Sequence, residues 1–507
     1  MTLPQPSRPD RPCLLGVHQV DIAPGQRWLR LTVQNDHIPE FSVVALDSDQ
    51  RVRAQYWGKA TAEQVVVGPD QLHSSCGTVP GPLPPGPWRV EVFGTAGGQP
   101  PGYSLHIDGG GGEAPSGTLP ELGARRWDAG GDRDDPLKLD QRILARRLRD
   151  GRAWYRGDFH AHTRASDGQQ SPATLTAQAS ARGLDFFSIT EHNLLTTGWP
   201  DDGVLVVPGT EVTSSAGHFN AIGLHRWLDW RMTAPDGGCE TSEGMIRLLG
   251  DARSQGALAS INHPLLAPWA WRWTDTPVDA FDAMEIWNDP TYPDNDAAIE
   301  PTLALWSRLW DDGHRVAGIG GSDTHLLPHD SYVPGGPPSV LGDPWTAVLA
   351  DELSVVAIVD AVRAGRTYVS RGPVVNACAT VGADRFAPGA SLTTALERQP
   401  EGRASVRLQV DVADASPDAV VHWVGTGGEE AVALEPADGT ATAAVERLWD
   451  ASTWQWLRAE LRGADGALLA VTNPFSAGEA TTRLRTWGDL LAGDSLCRAG
   501  AGVPATR

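Results

Sequence analysis

Polar groups rich in histidine and carboxylate recur through the middle of this chain, and most of them directly follow a short apolar run. Asp158-Phe159-His160-Ala161-His162 opens the series and Ser166-Asp167-Gly168 follows it. Phe186–Thr190 runs into Glu191-His192-Asn193, and Val204–Pro208 into Gly209-Thr210-Glu211. Gly217-His218 precedes the run Phe219–Leu224, and Ala257–Ile261 leads into Asn262-His263-Pro264. Ala283–Trp287 is a further apolar run, and Val316–Gly320 leads into Gly321-Ser322-Asp323-Thr324-His325. Helical patterns lie between the runs, at Ala173–Arg182, Ser242–Gln255, Ala297–Asp312 and Leu353–Ala364. Ser171-Pro172 supplies a helix N-terminus with proline at its first position. Strands alternating with helices predict a mostly parallel sheet with covering helices, as an open α/β sheet or a barrel. The C-terminal ends of parallel strands share one face, so six separated segments would deliver their polar groups into one cleft.

The residue types point to a metal. Histidines separated by one residue on an extended chain project to the same side, because the side-chain period is two. Imidazoles mixed with carboxylates and without thiolates suit Zn, Fe or Mn in sites open to water. Taken singly, each piece has an ordinary explanation. His192 would serve as a cap, Glu211 and Asp323 as solvated loop carboxylates, and His263 as a turn residue before Pro264. Caps do not account for all of them together. His225, His314 and His329 fall outside the pattern. The five cysteines are scattered, with no CxxC pair, which fits a reduced compartment and excludes a thiolate zinc site.

The flanks read differently. Residues 1–120 form a β-sandwich-like unit of short alternating runs such as Arg27–Val33, Phe41–Asp47, Trp88–Phe93 and Tyr103–Ile107. It ends in a Gly-rich linker at Gly109–Gly112 and on to Gly117. Residues 121–150 are a charged connector, with a helix expected over Gln141–Arg149. The α/β unit spans 151–370, a second β-sandwich-like unit 371–475, and an irregular tail 476–507. Net charge is −22, which repels phosphate backbones, so nucleic acid is not an expected partner. No apolar run reaches the length of a membrane span. The opening Met1-Thr2-Leu3-Pro4-Gln5-Pro6 lacks a basic n-region and an apolar h-region, so a cytoplasmic location is expected.

The motifs His160-Ala161-His162, Ser166-Asp167-Gly168, Thr190-Glu191-His192-Asn193, Gly209-Thr210-Glu211, Gly217-His218, Asn262-His263-Pro264 and Ser322-Asp323-Thr324-His325 resemble, in type, order and spacing, those of the PHP (polymerase and histidinol phosphatase) metallohydrolase superfamily. The resemblance covers about residues 154–370. It implies a distorted (β/α)7 barrel with two or three divalent metals. By motif it implies nine ligands: His160, His162, Glu211 and Asp323 on one metal; Glu211 bridging to a second held with His218 and His263; and Asp167, His192 and His325 on a third. Thr190-Glu191-His192 stands where the family usually has Thr-Asp-His, which leaves the role of Glu191 open. The run Arg366-Thr367-Tyr368-Val369-Ser370-Arg371-Gly372-Pro373 and the flanking β units resemble the CehA/McbA carbaryl-hydrolase-like branch. Amidohydrolases also open on His-x-His, but their lysine-carbamate subtype is excluded, since Lys59 and Lys138 both lie outside 151–370. No HExxH occurs.

The expected activity is hydrolysis of a phosphomonoester or phosphodiester by metal-activated hydroxide, with no side-chain nucleophile. The alternatives are a carbamate, ester or amide hydrolase on the same site, and a non-enzymatic binding or scaffold protein with an inert barrel. Glu191, Asn193 and Asn262 adjoin ligands and are candidates to orient them. Arg371 and Arg164 are candidates to meet a phosphate. Trp269, Trp271 and Trp273, if extended, would share one side and wall the cleft, with Trp287 on the same face. These rings point to a small-molecule substrate with an aromatic or apolar part.

Overall fold

The computed structural model describes residues 11–35, 38, 40–58, 63–95, 102–115, 124–127, 137–200, 202–437 and 439–492. Its architecture is mixed α/β and largely sheet. Parts of the expected linker (116–117), of the charged connector (121–123 and 128–136) and of the tail (493–507) lie outside these residues.

Seven central strands follow one another in space in chain order: β1 (Arg149–Asp158), β2 (Phe186–Ile189), β3 (Leu205–Ser214), β4 (Gly217–Ile222), β5 (Leu258–Ile261), β6 (Ala283–Asn288) and β7 (Ala317–Gly321). The first three are parallel, and so are the last three. β4 runs antiparallel to both of its neighbours, so the sheet is mixed rather than mostly parallel. The helices are α1 (Pro172–Ala181), α2 (Ser242–Ser254), α3 (Asn295–Asp311) and α4 (Val355–Arg363). Three start on a side-chain cap: Ser171 accepts from the Thr174 amide, Thr241 from Gly244 and Ser354 from Ala357.

The expected (β/α)7 barrel does not close. The outer edge of β1 is taken by β8 (Trp345–Leu353), which pairs with it antiparallel from Thr346↔Gly157 to Leu353↔Arg149. With that edge filled, β7 meets β1 only past the strand ends. The junction consists of the isolated parallel bridge Ala161↔Thr324 and two amides, His162 to Thr324 O at 3.2 Å and Asp323 to His160 O at 2.9 Å. Buried Asp158 reinforces it, accepting from the amides of His160 (3.0 Å), Ser322 (3.0 Å) and Gly342 (2.7 Å). Burial raises the Asp158 carboxyl to about 6 against these hydrogen bonds. Gly321 makes the approach possible, because a Cβ there would stand 2.6 Å from His160 Cβ and 2.8 Å from its amide nitrogen.

The N-terminal unit has two sheets. One orders Pro12–Ile22, Gly86–Thr95, Ser42–Leu46 and Val52–Trp57; the other orders Glu63–Val67, Trp28–Asn35 and Tyr103–Gly110. Leu29, Leu31 and Val65 from one sheet and Val43, Trp88 and Val90 from the other share a core. Gln55 ties this unit to the central one, donating to Leu195 O at 3.2 Å and accepting from the Leu195 amide at 3.0 Å. Only a short 3-10 turn, Gln141–Ile143, forms where a helix is expected over Gln141–Arg149, because β1 already begins at Arg149.

The C-terminal unit is not a free-standing sandwich. Its strand Leu468–Thr472 pairs with β9 (Thr367–Ser370), which pairs with β8, so one of its sheets continues the central sheet. The described part of the expected irregular tail carries regular structure: Trp487–Leu491 is a capped helix, and buried Trp487 donates to Trp271 O at 3.1 Å. Arg458 fastens α3 to this unit. It is 1% exposed, lies over the rings of Trp306 and Trp456, and bonds Ser307 Oγ at 2.9 Å and Glu460 Oε1 at 2.7 Å. Burial acts to raise the Glu460 carboxyl, but Arg458 and Arg462 hold it below its ordinary 4.5. A depressed carboxylate contributes stability that is complete above its unfolded value and lost as pH falls. The urea midpoint is therefore expected to fall as pH drops below 4.5, with Glu460→Gln weaker at neutral pH and flatter in its pH dependence.

Candidate metal centre

The nine ligand-type side chains suggested by the sequence motifs meet in one buried cluster at the rim that the strand ends share. β1 ends into His160 and His162. The chain beyond β2 adds an isolated parallel bridge, His192↔Glu211, which sets His192 beside the carboxylate projecting from β3. β4 delivers His218 from its first turn of chain. Because β4 is antiparallel, its beginning lies at the same rim where the parallel strands end, and Thr213 pairs opposite His218. His263 and Asp323 follow β5 and β7 with left-handed backbone, at φ 25° and 47°. Non-glycine residues held there store strain, and such strain concentrates at functional sites.

Glu211 is the hub and is 1% exposed. Its Oε1 lies 3.3 Å from His160 Nε2, 3.0 Å from His218 Nδ1 and 3.5 Å from His263 Nε2. Its Oε2 lies 3.4 Å from His162 Nε2 and 2.8 Å from His192 Nδ1. Asp323 Oδ1 stands 3.2 Å from His160 Nε2 and 3.1 Å from His162 Nε2. Asp167 Oδ1 lies 3.4 Å from His192 Nε2 and 3.3 Å from His325 Nε2. Four overlapping sets of mutually close donors result: His160, His162 and Glu211; His160, His263 and Asp323; His192, Glu211 and His218; and His162, Asp167, His192 and His325.

These donors fit cations better than they fit one another. Two donors each about 2.1 Å from one cation stand about 2.9–3.5 Å apart at bond angles of about 90–110°, the range seen here. Yet His160 Nε2, both ring nitrogens of His162, Glu211 Oε2, His263 Nδ1 and Asp323 Oδ1 are buried without a hydrogen-bond partner. Buried polar atoms are normally satisfied, so this concentration at one point marks a site built for something else. The electrostatics agree. Burial acts to lower the imidazoles of His160 and His192, but Asp323 and Glu211 hold the first well above its ordinary value, and Asp167 and Glu211 the second. His162 is pushed down to about 3 by burial and by neighbouring His325 and His192, which keeps its ring neutral. The carboxylates call for positive charge, and divalent cations would supply it in place of imidazolium protons.

Outer partners fix the rings. His160 Nδ1 faces Glu285 Oε1 at 3.1 Å, and His325 Nδ1 faces Asp323 O at 2.7 Å. A carboxylate and a carbonyl accept, so Nδ1 carries the hydrogen in both and Nε2 turns its lone pair inward. Asn262 donates to Glu211 Oε1 at 2.8 Å. Asn193 pairs with the Thr213 backbone, and Thr213 Oγ1 lies 2.6 Å from His192 Nδ1. Glu191 touches no ligand atom. It accepts from the amides of Thr163 and Ser166 and from both their hydroxyls, clamping the loop that carries Asp167; burial raises it to about 7.

The expected tryptophan wall is only partly present. The segment after His263 is a series of turns rather than a strand, so the three rings do not alternate to one side. Trp269 reaches the cavity, whereas Trp271 and Trp273 are buried staples bonded to Thr276 and Ser214. Trp287 is buried in the core. Arg371 is held at both ends by Asp343, at 2.7 and 3.0 Å, and lines no part of the cavity; nor does exposed Arg164.

A cavity of about 340 Å³ opens over the cluster. Beyond the ligands it is lined by Trp269, Tyr292, Tyr332, Leu266, Leu326 and polar groups that include Asn288 and Asp289. Trp269 meets Tyr292 edge to face at 5.6 Å, and Tyr292 meets Tyr332 at 5.2 Å. From the N-terminal unit, Trp57 lies against His192 with ring centroids 5.1 Å apart. Sequence reasoning missed Glu285, Thr213, Asp158, Trp57 and the two tyrosines. Only Glu285 carried a signal, as a lone carboxylate inside the apolar run Ala283–Trp287.

No protein-family model matches the chain, and no curated protein matches it. Among solved structures it is similar to a two-domain protein from Bacteroides vulgatus containing a predicted PHP-like metal-dependent phosphoesterase. The identity is 18%, over 64% of this chain and 96% of that one, with TM-score 0.33. A candidate metal-dependent phosphoesterase from Bifidobacterium adolescentis is 17% identical over 36% of this chain and 92% of its own, with TM-score 0.23. An amidohydrolase from Chromobacterium violaceum with bound sulfate and no metal is 15% identical over 36% and 92%, with TM-score 0.21.

Proposed function

We propose that this chain is a metal-dependent hydrolase of phosphoesters, of the PHP kind that its motifs resemble, with two or three divalent ions of Zn, Mn or Fe held by the nine ligands. The observation that carries the reading is the buried shell around Glu211, several of whose donor atoms lack hydrogen-bond partners and stand at the spacing of ligands on shared cations. Bound divalent ions would supply Lewis-acid polarisation of a substrate oxygen and ready deprotonation of water near neutral pH. The chain's own part is positional. Glu285, Asn262, Thr213 and the Asp323 carbonyl lock their partners' orientation, Glu191 holds the Asp167 loop, and Trp57 packs against the ring of His192. The run Arg366–Pro373 supports placing the chain in the CehA/McbA-like branch.

The rest of the cavity indicates what the substrate carries. Three edge-to-face rings at its mouth offer an apolar wall for an aryl or similar leaving group. Trp269→Ala is expected to raise KM for an aryl phosphoester about threefold to tenfold with kcat nearly unchanged, the effect of one aromatic contact. A second reading, hydrolysis of a carbamate, ester or amide, is favoured by one observation: no arginine or lysine lines this cavity among the described residues, so a neutral substrate would leave no charge unmet.

The test is metal analysis joined to a substrate panel. Protein reloaded with Mn or Zn should turn over an aryl phosphomonoester or phosphodiester, and His160→Ala with His162→Ala should not. Turnover of an aryl carbamate alone would favour the second reading. A chain that holds no metal and hydrolyses nothing would instead be a non-catalytic scaffold.

A further inference from the structure

The opposite end of the central unit carries a second, unrelated cleft of about 590 Å³. It opens between the residues just before β7, the end of α4 and the C-terminal segment 385–390. Arg152, Arg315, Arg363, Arg366 and Arg385 line it, and among the described residues no aspartate or glutamate does. In a chain of net charge −22, five guanidiniums lining one cleft run against the overall field, with Asp351, Asp360 and Asp282 meeting some of them at its edge. The metal cluster is far away: Arg152 precedes His160 by eight residues of extended chain, about 26 Å.

Two of the head groups are paired, Arg152 with Asp351 at 3.3 Å and Arg363 with Asp360 at 3.3 Å, while Arg315, Arg366 and Arg385 are held in place with their charge largely unneutralised. Arg315 donates to Gly389 O at 2.6 Å, and no carboxylate lies within 4 Å of it among the described residues. Arg363 donates to the carbonyls of Gly256 and Ala257 at 3.2 and 3.1 Å and shares Asp282 with Arg253. Arg366 reaches Asp351 only at 3.9 Å, and its Nε is buried without a partner. Arg385 meets Cys378 Sγ at 3.2 Å. The carbonyl anchor of Arg315 orients its guanidinium and leaves its charge available, the arrangement suited to bidentate recognition of a phosphate. Phe386 and Pro388 add an apolar wall for an organic body.

We propose that this cleft binds a small, multiply charged organic phosphate, at a site separate from the metal centre. The probe is inorganic pyrophosphate on the full-length, metal-loaded protein at low salt. Phenylglyoxal labelling read by peptide mass spectrometry should fall several-fold at Arg315 and Arg366 when pyrophosphate is present, while exposed Arg182 is unaffected. Pyrophosphate should also raise the melting temperature of wild type and of H160A/H162A but not of R315Q/R366Q. Labelling that pyrophosphate leaves unchanged would overturn the proposal. So would protection matched by chloride of equal ionic strength, or protection by polyglutamate alone, which would make this a surface for acidic protein. A melting shift kept in R315Q/R366Q and lost in H160A/H162A would place the anion on the metals and overturn it equally. The labelling arm needs no variant, so a folding defect in either would leave the question decidable.

Discussion

Glu211→Gln is expected to empty the centre and reduce hydrolysis at least about a thousandfold, near 4 kcal/mol of transition-state stabilisation. The substitution keeps shape and volume, so packing is not the cause. What is lost is the one carboxylate that five imidazoles face: His160, His162, His192, His218 and His263. No neighbour can replace it, because Asp323 and Asp167 each reach only part of the ring cluster. The metal-free variant should also be less stable than metal-free wild type, by about 3–5 kcal/mol, since removing one partner strands buried charge. Metal content by mass spectrometry, kcat/KM on an aryl phosphoester and denaturant melts of both apo forms check each part. A variant that retains its metals would show that the hub reading of Glu211 is wrong.

Removing the metal from wild type is the second large effect. Ions that bind the folded chain and not the unfolded one stabilise it by mass action, about 4 kcal/mol at a thousandfold excess over Kd. For a unit of this size that corresponds to a fall in Tm of roughly 10 °C on chelation. The sign follows from the site itself. Stripped of cations, the cluster depends on imidazolium protons at His160 and His192 to balance Glu211, Asp323 and Asp167, and burial opposes those protons. Calorimetry before and after EDTA, and after adding back Mn or Zn, reads the change. An unaltered melt would mean that the donors do not hold a metal. Activity and stability should return together on reloading, because both depend on the same buried shell.

Much of this centre was legible in the chain because the chemistry of a metal site is carried by residue type and short spacing. His160 and His162 share a side by strand period alone, and most of the polar groups stand just beyond apolar runs that do become strands. Helix starts were legible for the same local reason: Ser171, Thr241 and Ser354 each cap the helix that follows. The tryptophan triplet shows where such reasoning fails. Its alternation implies a strand, but backbone bonds such as Trp271 N to Pro264 O and Arg272 N to Ala216 O fold the segment into turns, and two of the rings go to the core.

The sequence by itself therefore determined which side chains are available for metal chemistry and that they recur at the ends of apolar runs, since both are properties of residues and their near neighbours. The tertiary structure alone decided that β8 occupies the edge of β1 and keeps the sheet open. It also decided that antiparallel β4 brings His218 to the shared rim, and that Glu285, Trp57 and the tyrosines complete the surroundings of the site. Those outcomes depend on which distant strand edges find each other and bury their hydrogen-bonding groups, and that pairing is set by long-range packing that no local pattern encodes.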